Sequence, residues 1–199
     1  LCDDKGEKMS KSKGNIVKPN DMFDQYGVDA VRLLMCSYAL GENIRFGKSV
    51  FDDVIMPFLT VLWNSFYYVT DYLAMVEHLH DNGECPVCDL DIVPKDLALE
   101  DKWIIASVNT LISKVEEGLD NGKYNVSIGA IQRFVENDFS RGYIKLIRGR
   151  SKDGDDALTY TLQYVWYRVL VLLAPFAPYV AEEMYRACSS TKKSVHFET

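Results

Sequence analysis

No stretch of about 18 uninterrupted apolar residues occurs in the 199-residue chain, so no membrane-spanning helix is expected. Nor does its cysteine usage suit a disulfide scaffold. The five residues Cys2, Cys36, Cys85, Cys88 and Cys188 form no even framework, which fits a reducing compartment. Cys85-Pro86-Val87-Cys88 has no second CxxC and no surrounding βαβ pattern, and one such pair is only half of a tetrahedral zinc site. His78 and His80 lie nearby, but their His-x-His spacing and order are not those of a zinc finger. A loop turned by Pro86 is the preferred reading, and no zinc is expected. The chain opens Leu1-Cys2-Asp3-Asp4 without a start methionine, an apolar leader or a cleavage site, as expected of a cut through a longer protein. No strand beyond a few residues and no internal repeat is legible.

A general excess of positive charge is also missing. The net charge is −7, which argues against unselective nucleic-acid binding. The distribution is uneven, however. Residues 21–100 carry 4 basic and 14 acidic side chains, whereas residues 123–152 carry 7 basic and 2 acidic ones. A local phosphate-facing strip on an otherwise repelling body fits that pattern, so RNA remains a possible partner.

What is present begins with Lys8-Met9-Ser10-Lys11-Ser12, followed by Lys13-Gly14-Asn15. Two lysines three residues apart, small hydroxyls and a closing Gly-Asn describe a loop that can bring positive charge to a phosphate chain. Glycine supplies backbone freedom and lysine a point charge on a flexible stem. A solvated basic loop is the plain alternative.

Helical punctuation follows. Asn20 or Asp21 is expected to cap a short helix, Met22 to Tyr26, that stops at Gly27; Asp29 is expected to cap the next, through Met35. Gly41 to Gly47 reads as a link. From Lys48 to about Leu79 an apolar segment contains Pro57, which predicts two helices or a kinked one. Trp63, Phe66, Tyr67 and Tyr68 crowd its middle and are expected to pack in the core. Residues 81–98 read as a loop. Three apolar stripes come next: Ile104, Val108, Leu111, Val115, Leu119; then Tyr124, Ile128, Ile131, Val135, Phe139, Tyr143; then Leu158, Leu162, Val165, Val169, Leu172. Short links at Asn121-Gly122 and Asp153-Gly154 predict antiparallel neighbours. Pro178 opens a last helix to about Cys188. The fold class is therefore all-α: an antiparallel helical bundle behind a short loop-and-helix segment. The expected division is 1–47 and 48–199, with the bundle core at about 101–188.

Arg141, Lys145 and Arg148 are spaced i, i+4, i+7, which confines them to about 60° of an α-helical surface. Tyr143, Leu146 and Ile147 are expected to be buried on the opposite side. Contacts from such a strip to RNA phosphates act through counterion release and depend steeply on salt. A merely solvated face is the competing reading.

The lysine loop matches, letter for letter, the KMSKS signature of the class I aminoacyl-tRNA synthetases. Tyr26-Gly27-Val28-Asp29-Ala30-Val31-Arg32-Leu33 resembles the segment that follows it in the isoleucine, valine and leucine enzymes. Gly41-Glu42-Asn43-Ile44-Arg45-Phe46 and Ser194-Val195-His196 are most similar to the isoleucine branch. Asp101-Lys102-Trp103-Ile104, Tyr143 to Arg150, and Leu173-Ala174-Pro175-Phe176-Ala177-Pro178 resemble stretches of that family's anticodon-binding domain. Ser140-Arg141-Gly142 stands where the family commonly has Asn-Trp, Gly149 replaces a usual arginine, and no HIGH tetrad occurs.

The resemblance implies an ATP-dependent ligase of the cytoplasm that activates isoleucine and transfers it to tRNA(Ile). Mg2+ is expected with the ATP. By motif position it implies that Lys11, assisted by Lys8, is catalytic, and that Lys8, Met9, Ser10, Lys11 and Ser12 form the ATP-binding loop. Ser10 and Ser12 set its turn, and Gly14 and Asn15 its hinge. Arg141, Lys145 and Arg148 are the expected tRNA contacts. Without the HIGH tetrad this stretch alone is expected to be inactive. A stand-alone RNA-binding bundle, or the valine or leucine enzyme, are the alternatives.

Overall fold

The computed structural model describes residues 1–79, 90, 93–150, 155–188 and 194–198. The Cys85–Cys88 pair, His80, the side chain of His78, Lys152 and the Asp153-Gly154 link lie outside the described residues. Nine α-helices are described: α1 (Pro19–Tyr26), α2 (Val28–Cys36), α3 (Lys48–Val50), α4 (Met56–Leu79), α5 (Leu99–Asp120), α6 (Tyr124–Arg133), α7 (Ile144–Ile147), α8 (Asp156–Leu173) and α9 (Pro178–Cys188). Strand-like pairing among the described residues is limited to isolated bridges of Cys2 with Lys8 and with Arg45. The all-α expectation holds.

Two connections are wound wider than an α-helix. Phe51–Ile55 joins α3 to α4 in π form, with the Met56 amide donating to the Phe51 carbonyl five residues back. Pro57 follows at once. Its missing donor is thus absorbed at the start of α4, and the chain runs on as one helix rather than two. Phe134–Tyr143 joins α6 to α7 in the same way, the Ile144 amide reaching Phe139.

The first helix begins earlier than its sequence suggests. Pro19 takes the first helical position, where a missing N–H costs nothing, so Lys18 rather than Asn20 or Asp21 is the cap residue. Gly27, at φ 86°, ends α1 and leads directly into α2. Asn121-Gly122 closes α5 with both bonds of a Schellman motif: the Gly122 amide to Leu119 and the Lys123 amide to Gly118. The turn sends α6 back along α5, with Ser127 bonded to Val115 and Tyr143 to Asp101. Gly118 is required here because a Cβ would stand 2.1 Å from Ser127 Oγ.

The three stripes form the core, with exceptions at their edges. Ile104, Val108, Leu111, Val115, Ile128, Ile131, Val135, Phe139, Tyr143, Leu158, Leu162, Val165 and Val169 are buried. Tyr124, at the exposed start of α6, is not. Trp166 of α8 is the centre, within stacking distance of Phe66 from α4 and of Phe139. Tyr67 departs from the expected core packing. It faces outward, 58% exposed, stacking on half-buried Trp63 and meeting the ring of Phe66 at a tilt.

Candidate functional site

The lysine loop is a surface structure tied at its base. Leu1 to Asp3 lies between two neighbours: the Cys2 amide donates to Ile44, the Phe46 amide to Cys2, the Asp3 amide to Glu7 and the Met9 amide to Leu1. Asp4 adds a second anchor, accepting from the Ser49 amide and hydroxyl at 3.2 and 2.7 Å. It caps the entry to α3 across Gly47, where any Cβ would collide with its carboxylate.

Asn15 closes the loop. Its Nδ2 donates to Asp3 at 2.9 Å and to the Lys8 carbonyl, while its Oδ1 accepts the Ser10 amide at 3.0 Å. The Asn15 bond, helped by the Glu7 amide, holds the Asp3 carboxyl below its ordinary range. In this geometry Asn15 ties the two sides of the loop together. Ser10 does set the turn, its Oγ accepting from the Lys13 amide and pairing with Ser12 Oγ. Gly14 sits at φ 68°, where a side chain is disfavoured.

The result is a chemical division along seven residues. Lys13 pairs with Glu7 at 3.3 Å. Lys8 and Lys11 are exposed and carry no ion pair among the described residues, while Met9 is turned inward against the core. Two unneutralised ammonium groups on a pinned loop can meet an anion without first breaking a bond.

The basic strip reaches the surface, by a different winding than its spacing implies. Arg141, Lys145 and Arg148 are all exposed. Leu146, expected in the core, is 60% exposed, and Ile144 is buried in its place at 7%. The π-wound turns ahead of it advance by less than the 100° per residue of an α-helix, which hands the inner face from one residue to the other. Arg141 lies back along the segment and donates to Asn137 Oδ1 at 3.2 Å.

Arg150 does not belong to the strip. It donates to Glu100, to both oxygens of Asp101 and to Asp155, at 2.6–3.1 Å. Asp101 is fully buried and also accepts the Tyr143 hydroxyl at 2.6 Å and the Ala98 amide. One guanidinium thereby joins the starts of α5 and α8 to the end of α7. Burial, then the Asp101 bond, push the Tyr143 hydroxyl well above its ordinary range. Asp155 is driven up by burial, but Arg150 and the Leu158 amide outweigh this and hold it low.

A second set of residues that sequence reasoning misses joins the lysine-loop segment to the bundle. Asp29 does not cap its own helix, whose entry is Gly27. Buried at 6% exposure, it accepts the Val180 amide at 2.7 Å and so caps α9. Burial raises its pKa, against the amides of Val180 and Tyr179. One turn on, Arg32 donates to the carbonyls of Pro175 and Phe176. The only sequence signal for this clamp is that Asp29 and Arg32 share a helix face. Their partners lie more than 140 residues away.

Among the described residues, no group of three or more His, Cys, Asp or Glu side chains is placed to hold a metal ion, and no helix is long and apolar enough to cross a membrane.

Comparison with known proteins fits this geometry. Residues 1–47 match the family model of tRNA synthetases class I (I, L, M and V), and residues 101–199 that of the anticodon-binding domain of tRNA ligase. The isoleucine–tRNA ligase of Pyrococcus abyssi is 38% identical over 194 residues, 94% of this chain and 17% of the relative. That of Methanococcus maripaludis is 36% identical over 190 residues, 92% of this chain and again 17% of the relative. The chain thus spans about one sixth of the length of these curated relatives. The fold recurs in the LeuRS of Agrobacterium radiobacter K84, solved as a ternary LeuRS–tRNA–LeuAMS complex, with a TM-score of 0.71 at 22% identity over 97% of this chain and 22% of that one. It recurs also in the methionyl-tRNA synthetase of Mycobacterium tuberculosis bound by methionyl-adenylate, with a TM-score of 0.63 over 89% of this chain and 35% of that one. The chain belongs to the class I tRNA ligase family, and its close homologues are isoleucine–tRNA ligases.

Proposed function

We propose that this chain works within an isoleucine–tRNA ligase, which joins isoleucine to ATP with release of pyrophosphate and passes the aminoacyl group to tRNA(Ile). Residues 1–47 serve the first step and the bundle of residues 48–199, with its core at about 101–188, serves tRNA binding. The observation that carries the reading is that Lys8 and Lys11 are exposed, with no ion pair among the described residues, on a loop tied at its base by Asp3 and Asn15.

During adenylate formation negative charge grows on the α-phosphate and on the departing pyrophosphate. A donor aimed at that growing charge lowers the barrier, by about 2.7–4 kcal/mol for one well-placed group. Lys11 fills this role with Lys8 beside it; Met9, Ser10 and Ser12 complete the ATP-binding loop by shaping its turn. About that tied base, the tip of the loop around Lys11 closes over ATP and opens for product release, a gating motion. Mg2+ arrives on the phosphate oxygens of ATP, as that ion commonly does; no zinc is assigned to this chain. Arg141, Lys145 and Arg148 meet phosphates of the tRNA anticodon arm from the exposed side of the bundle.

Pyrophosphate exchange by the full-length enzyme, run separately with isoleucine, valine and leucine, tests the reading. Exchange is expected with isoleucine far above the other two. Preference for valine or leucine would move the assignment within the family, and no exchange with any of them would remove it.

A further inference from the structure

The lysine loop hangs on one carboxamide that the chemistry proposed above leaves without a task. Asp3 and Asn15, twelve residues apart and both half-buried, meet at 2.9 Å, Asn15 Nδ2 donating to Asp3 Oδ2. Asp3 is the anchored partner. Its Oδ1 accepts the Lys5 and Glu7 amides at 3.0 and 2.9 Å, and its segment is bonded through Cys2 to Ile44 and to buried Phe46.

Asn15 carries that anchorage to the signature itself. Its Oδ1 accepts the Ser10 amide at 3.0 Å and its Nδ2 also reaches the Lys8 carbonyl at 3.4 Å. One side chain therefore holds the backbone on both sides of Met9, which turns inward against the core. Lys8 pairs with Cys2 in a strand-like bridge, and in extended chain neighbouring side chains face opposite ways. An inward Met9 thus sends Lys8 outward. Beyond Ser10 only Lys11 to Gly14 lie between the held positions and Asn15, and these four carry the tip.

The pairing is chemically specific. Asn15 faces two acceptors, Asp3 and the Lys8 carbonyl, and one donor, the Ser10 amide, a set that a carboxamide matches with its two N–H donors and its oxygen. Aspartate has nearly the same shape but no donor when ionised, and it would set a second carboxylate against Asp3.

We propose that Asn15, seated on Asp3, is a positioning residue for adenylate formation: it holds the backbone at Lys8 and Ser10, so that Lys8 is set and the tip bearing Lys11 closes onto the phosphates from a fixed start. It acts through the two lysines and touches no substrate. This rests on the reading that Lys11 serves the phosphates of ATP.

The test is isoleucine-dependent pyrophosphate exchange by the full-length enzyme, each variant being assayed below its melting transition. Asn15→Ala is expected to slow exchange by about 10²-fold, the loss that a misplacement of about 1 Å can cause. In a Lys11→Ala background the same substitution should cost only a small part of that, because groups that act as a unit are not additive. Asn15→Asp and Asp3→Asn should each slow exchange. Combined, they should recover most of the loss: the amide then sits on the anchored side, and the carboxylate accepts both from it and from the Ser10 amide. Only the long contact to the Lys8 carbonyl is given up. Exchange at the parent's rate in Asn15→Ala overturns the proposal. So do equal fold-losses in the parent and the Lys11→Ala background, which a merely structural residue would give, and a combined variant no faster than Asn15→Asp alone. Lys11→Ala at the parent's rate removes instead the reading of the loop on which the assignment rests.

Discussion

The lysine-loop segment and the bundle hold their charges in opposite ways. In the loop the ties are polar and half-buried or exposed: Asn15 to Asp3, Ser10 to Lys13, Lys13 to Glu7. They fix the backbone and leave the Lys8 and Lys11 side chains exposed, with no ion pair among the described residues. In the bundle the best-placed cation, Arg150, is enclosed by three carboxylates and a buried tyrosine. Exposed bonds of the first kind contribute little net stability each, because water competes for both partners. Buried ones of the second kind are costly to break, because the remaining charge has nowhere to go. Positive charge is thus left exposed in the loop and serves architecture where it is surrounded in the bundle.

Breaking the bundle's cluster should give the largest effect. Arg150→Met leaves the fully buried Asp101 carboxylate with only Tyr143 and the Ala98 amide, and is expected to destabilise the fold by about 3–5 kcal/mol. Urea unfolding measures it. A loss below about 1 kcal/mol would show that the cluster is ornamental to stability.

The clamp between the two regions comes next. Asp29→Ala removes the carboxylate that caps α9, for an expected loss of about 0.5–2 kcal/mol. Adding Arg32→Ala should deepen the loss through the released Pro175 and Phe176 carbonyls. The two effects are expected to be non-additive, since both residues hold the same turn. A double-mutant cycle that sums within error would separate them.

A surface substitution should behave differently again. Lys145→Ala is expected to leave unfolding unchanged and to reduce the salt slope of tRNA binding by about one. A change in stability instead would place Lys145 with Arg150, as an architectural cation.

The smallest effect is that of acid. Asp3, Glu100, Asp155 and Glu182 all have folded-state pKa values held below their ordinary ones. Their contribution is therefore complete above the unfolded values, about 4, and is lost as pH falls through the lower folded values. Asp29, raised by burial, has the opposite sign and gains relative stability on protonation. The melting temperature should stay level near neutrality and fall below about pH 4. In Arg150→Met that acid decline should be shallower, and an identical decline would show that Arg150 does not set it.

Much of this was legible in the residues. The apolar stripes at helical spacing placed Val108, Ile131 and Val165 correctly, because local periodicity and burial obey the same geometry. The lysine loop announced itself by composition. What escaped were features set by distant partners. Asp29 has the look of a local cap, yet its acceptor role is to Val180. Arg150 counts as a strip cation until Asp101 and Asp155 come to surround it. Leu146 fits the buried face of an α-helix, and only the π winding turns it outward. Spacing records the chain's own repeat, whereas these outcomes depend on what the fold brings alongside.

The pinned loop with its two exposed lysines is the centre of the account, and Lys11→Ala in the full-length enzyme tests it most directly. Isoleucine-dependent pyrophosphate exchange should fall by about 10²–10³-fold, the loss of one donor to the developing charge, while tRNA affinity and melting temperature stay unchanged. Exchange at the parent's rate would contradict it.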